Sequence, residues 1–80
     1  MSSQKIEGTA ENVAIRFRRR VAEAKRLGFD VRTVTLDDQM PGWCSLAGKQ
    51  VAFLDVTATT TEQLGQLDGI LADYLVKRAA

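Results

Sequence analysis

The chain has 80 residues, 45% of them hydrophobic and 26% charged, with eleven basic and ten acidic side chains. Eighty residues make one domain with a small core, and this apolar content with so low a net charge excludes a disordered chain. A single cysteine, Cys44, excludes an internal disulfide, and no apolar run reaches the roughly 20 residues that span a bilayer.

The charge is unevenly spread. Residues 9–28 carry six basic side chains against two acidic ones, and residues 29–80 carry four against seven. Such asymmetry marks either a nucleic-acid face or two parts that attract each other. A cytoplasmic chain is expected, because the start has no apolar run of the signal-peptide kind.

Residues 1–8 are polar and unpatterned and read as a flexible lead-in. The remaining 9–80 read as a single α+β domain. Thr9 is an expected N-cap, with Glu11 in the first turn. Val13, Phe17, Val21, Ala24 and Leu27 then recur at intervals of three and four, which predicts a helix over 10–27. Gly28 supplies the left-handed residue after it, and Phe29 a contact that folds back.

Val31 to Leu36 is β-branched and predicts a strand. Pro41-Gly42 fits the centre of a type II turn. A short strand is expected over 43–46, a tight turn at Ala47-Gly48, and a third strand over 50–56. Val51-Ala52-Phe53-Leu54 is apolar on both faces, which suits a central strand covered on both sides. Such a strand predicts a homo-oligomer, a homodimer in the simplest case, that covers the sheet face the helices leave open.

Thr59 with Glu62, or Thr60 with Gln63, has capping-box spacing and starts a second helix. Leu64, Leu67, Leu71, Tyr74 and Leu75 form its apolar stripe. Gly65 and Gly69 lie inside it at about 1 kcal/mol each relative to alanine, so a close approach is expected beside them. The fold class is therefore α+β: a two-layer α-β-β-β-α domain with a three-stranded antiparallel sheet.

Chemistry is sparse. Without histidine, the commonest acid–base groups and zinc ligands are missing. Asp37, Asp38 and Asp55 fit turns and strand ends. Cys44 fits a small buried hydrophobe, and Trp43 a core or interface position. No catalytic residue, cofactor, metal site or membrane contact is expected. The candidate interaction residues are Arg16, Arg18, Arg19, Arg20, Lys25, Arg26 and Trp43. Arginines on a helix are suited to phosphate contacts, and a solvated face with Arg19 paired to Glu23 competes with that reading.

The expected function is a non-enzymatic oligomerisation or protein-interaction domain. A nucleic-acid-binding module using helix 1 is the alternative, and a thiol or carboxylate enzyme a distant third.

The helix-strand-strand-strand-helix order resembles the double-stranded RNA-binding domain and the HicA-type toxins. That resemblance implies an RNA partner. The start of the second helix, Thr59-Thr60-Thr61-Glu62-Gln63, stands where the RNA-binding family has lysines, and the toxins' catalytic histidine has no counterpart. A strand-strand-helix likeness to zincin peptidases lacks the metal-binding helix motif, since the helix reads Glu62-Gln63-Leu64-Gly65-Gln66-Leu67-Asp68. The stretches Gly42-Trp43-Cys44-Ser45-Leu46, Phe53-Leu54-Asp55 and Glu62-Gln63-Leu64 are similar to small uncharacterised bacterial proteins, which implies no activity.

Overall fold

A computed structural model describes residues 2–79, and the side chains of residues 12–79. Its elements run α1 (Ser2–Arg26), β1 (Phe29–Val34), β2 (Gly42–Leu46), β3 (Lys49–Asp55) and α2 (Thr60–Ala79). The α-β-β-β-α order is as expected.

The sheet is mixed, which corrects the expectation of a purely antiparallel one. Its strand order is β1-β3-β2. β3 runs parallel to β1, with Val31 opposite Ala52, and antiparallel to β2, with Trp43 opposite Ala52. The reason lies in the connections. The segment 35–41 is long enough to carry β2 past the neighbouring slot, and the two-residue turn at Ala47-Gly48 then returns β3 into it. The doubly apolar strand thus takes the centre, as its pattern implied. Ala47 (φ 52°) and Gly48 (φ 81°) are both left-handed, the conformation of a type I′ hairpin turn.

Pro41-Gly42 does not form the expected type II turn. Gly42 has no positive φ and begins β2. The chain reverses earlier, where Gln39 N–H donates to the Leu36 carbonyl at 2.8 Å and Asp37 adopts φ 53°. Aspartate tolerates that conformation better than most residues.

α1 also differs at its start. It continues through residues 2–8, the expected lead-in, and Thr9 lies inside it rather than at its cap. That segment has no proline, and extending an existing helix is far cheaper than nucleating one. The α1 stop is as expected, with Gly28 at φ 94° and its N–H donating to the Lys25 carbonyl at 3.0 Å. At α2 the capping box is complete. Glu62 N–H donates to Thr59 Oγ1 at 3.1 Å, and Thr59 N–H donates to Glu62 Oε1 at 2.9 Å.

Both helices pack on one sheet face. The core joins Ala24 of α1, Phe29, Ala52 and Leu54 of the sheet, and Leu67, Ile70 and Leu71 of α2. Ile70 belongs to this core, whereas Leu75 is 47% exposed. Strand alternation puts Val51, Phe53, Val34 and Cys44 on the other face. Part of that face is covered from within the chain. The β1–β2 connection buries Leu36, and Leu36, Val34 and Phe53 line one small depression. Much of β3's apolar surplus is therefore satisfied without a second copy. Among the described residues no helix is long and apolar enough to cross a membrane.

Candidate functional site

An open groove of about 930 Å³ runs along the outer side of β2, beneath α2. One wall is the strand, from Pro41 to Ser45. The other is the α2 surface at Gly65, Gln66, Gly69 and Asp73. A Cβ added to Gly65 or Gly69 would meet nothing within 4 Å. The close approach expected beside these glycines is therefore not made within the chain. Their missing side chains widen the groove instead.

Trp43 holds the groove's inner edge. Its ring packs edge-on against Tyr74 (centroids 5.2 Å apart) and Phe29 (6.0 Å), and Phe29 packs the same way against Tyr74 (4.9 Å). Edge-to-face packing sets the positive ring edge against a negative ring face. The indole Nε1–H donates to Asp73 Oδ2 at 3.0 Å, and Lys77 Nζ lies 3.5 Å from the same oxygen. The tryptophan therefore ties the β2 edge to α2 and presents its remaining surface to the groove. Cys44 is exposed, on the opposite sheet face from the α2 helix.

Among the described residues, no strand pairs with the outer side of β2. The two-residue turn makes Leu46 and Lys49 a hydrogen-bonded pair, and antiparallel pairs alternate. Cys44 and Gly42 therefore bond to β3, while the backbone groups of Trp43 and Ser45 point outward along the groove. No residue of β2 is charged. The other edge strand, β1, carries Asp30 and Arg32, paired at 2.9 Å.

The arginines do not form one surface. At about 100° per residue, Arg16, Arg19 and Arg26 fall on one flank of α1, and Arg18 and Lys25 on the other. Arg20 is drawn to the α1–α2 junction. Its Nη1 lies 3.2 Å from Glu23 Oε1 and its Nε 2.8 Å from Asp68 Oδ1, the latter an ion pair without hydrogen-bond alignment. Glu23 is thus the partner of Arg20, not of Arg19 as the i, i+4 spacing suggested. Arg18 and Lys25 border a shallow depression with Phe17 and Val21.

The carboxyl of Asp55 titrates below its ordinary value. The Thr57 hydroxyl donates to Asp55 Oδ1 at 2.7 Å and the Thr57 N–H at 2.9 Å. These bonds, the hydroxyl's first, favour the ionised form and lower its pKa. Around it, Gln63 Nε2 donates to the Asp55 carbonyl at 2.9 Å and Asp55 N–H donates to Gln66 Oε1 at 3.0 Å. The arrangement seats the β3–α2 connection and lies apart from any cluster of ligating groups. Among the described residues, no three Cys, Asp or Glu side chains gather as they would around a metal ion.

Sequence reasoning singled out Trp43 but missed its partner Asp73 and the groove. The two helical glycines were the available signal. Comparison with protein-family models, with curated proteins and with solved structures finds no match to this chain.

Proposed function

We propose that this chain is a non-enzymatic protein-interaction domain, and that it binds by accepting an extended strand at the outer edge of β2. The observation that carries this reading is the pairing of an uncharged edge strand with an open groove at its side. Natural proteins usually protect a free edge with charges, proline or a bulge, and β1 has its Asp30 and Arg32. β2 has no such device between Gly42 and Leu46. An added strand would bond to the outward N–H and C=O groups of Trp43 and Ser45, and the groove would receive its alternate side chains.

A nucleic-acid role for α1 takes second place. Arg20 is engaged by Glu23 and Asp68, and the other basic side chains divide between two flanks.

The test uses a display library of random ten-residue peptides, selected on the wild-type chain and re-screened on variants. Ser45→Pro removes one outward N–H at a position where an edge strand tolerates proline. Gly69→Arg fills the groove. Selected peptides are expected to lose binding to both variants, and to keep it when Arg18 and Arg19 are changed to Glu. Peptide binding that survives both Ser45→Pro and Gly69→Arg overturns the reading.

A further inference from the structure

We infer that the strand received at the β2 edge is β2 of a second copy, paired antiparallel across a two-fold axis at Cys44. This rests on the strand-addition reading above and names its partner.

The register follows from which backbone groups point outward. Only Trp43 and Ser45 of β2 do so with both an N–H and a C=O. Pro41, the next position of the same parity, has no N–H. With the axis at Cys44, Trp43 of one copy lies opposite Ser45 of the other, and the reverse. Both pairs are then of the hydrogen-bonded kind, which makes a ladder of about four backbone bonds. An axis at Trp43 would use Pro41, and an axis at Ser45 would run the pairing into the Ala47 turn.

Charge supports a copy as the occupant. β2 opposes itself without setting like charges face to face. α2 is the helix on the β2 side, so the axis runs two α2 helices antiparallel beside each other. Each α2 has Glu62 in its first turn and Lys77 and Arg78 in its last, so opposite charges meet at both ends of the helix pair. Between them, Gly65, Gly69, Ala72 and Val76 are all exposed and repeat at intervals of four, three and four. Val76 is 70% exposed. That spacing is a helix-pairing seam, and its small residues allow two helices to approach closely. A stable dimer needs about 1,200 Å² of buried surface or more, to which the helix pair adds what five-residue strands lack. The result is a continuous six-stranded sheet.

Cys44 reports the register directly. In a non-hydrogen-bonded antiparallel pair the Cα atoms are about 4.5 Å apart, within the range a disulfide spans. Leu46 lies on the same face, but its own copy would be about 13 Å away, four residues along the strand. The experiment treats the full chain with diamide, which accepts the two protons and two electrons released as two thiols become one disulfide. The wild type is compared with a Cys44→Ser, Leu46→Cys variant, and mass is measured by sedimentation equilibrium without oxidant. The expected result is twice the monomer mass, with covalent dimer forming at least tenfold faster through position 44 than through position 46. Ser45→Pro should abolish both effects.

A monomer at millimolar concentration overturns the inference, as does equal or faster cross-linking at position 46. Neither outcome touches the broader strand-addition reading, which stands or falls on the peptide selection.

Discussion

Trp43 Nε1–H donates to Asp73 Oδ2 at 3.0 Å, a bond between residues 30 positions apart that fastens the edge strand to the second helix. Trp43→Phe keeps an aromatic ring against Phe29 and Tyr74 but removes the donor. It is expected to cost about 1 kcal/mol, as is Asp73→Ala. The double variant should fall short of the sum by about 0.5 kcal/mol or more, since the two share one interaction. Urea unfolding followed by far-ultraviolet circular dichroism measures all three. Strict additivity would show that the bond contributes nothing.

The helical glycines give an opposite sign. Gly65 and Gly69 have open space where a Cβ would stand, and glycine in a helix interior costs about 1 kcal/mol relative to alanine. Gly65→Ala and Gly69→Ala should each stabilise the fold by roughly that amount, read as a rise in the urea midpoint at micromolar protein. Destabilisation would mean that a close approach at these glycines is needed, either within the chain or across the α2 seam between two copies.

Ala47 is a strained residue at the hairpin turn, with φ 52°. Only glycine, and to a lesser degree asparagine, adopts that region readily. Ala47→Asn creates the Asn-Gly pair that type I′ turns favour. A gain of about 0.5–1 kcal/mol is expected. Thermal unfolding of the variant, with no rise in melting temperature, would argue against the turn type described.

Asp55 sets a pH dependence. Its folded-state pKa lies below the ordinary value because the Thr57 hydroxyl and N–H stabilise the carboxylate. A depressed pKa gives stability that is present above the unfolded-state value and lost as pH falls through the folded one. Wild type should therefore lose more stability than Asp55→Asn between about pH 5 and pH 2. Thr57→Val, which removes the largest cause of the shift, should narrow the difference. Parallel loss in wild type and Asp55→Asn would place the acid sensitivity elsewhere.

Much of the fold could be read from local pattern. The Thr59–Glu62 capping box, the Gly28 stop and the Ala47-Gly48 turn depend on residues close in the chain, and each is found where spacing put it. The central place of β3 was legible in Val51-Ala52-Phe53-Leu54, because a strand apolar on both faces needs cover on both. Pro41-Gly42 misled because two turn-forming sites compete in 35–41, and the β1–β2 path is closed by Asp37 instead.

What the amino-acid order determined alone is the set of elements, the Gly28 stop, the Thr59–Glu62 cap and most of the buried stripes, since these follow from backbone geometry within a few residues. Tertiary structure decided the rest. It ran β3 parallel to β1 and so made the sheet mixed. It drew Arg20 out of the basic cluster toward Asp68 and joined Trp43 to Asp73. It also left the glycines of α2 facing a groove rather than a neighbour. Each of these depends on residues distant in sequence meeting in space, and no local spacing encodes which edge of a sheet is left free.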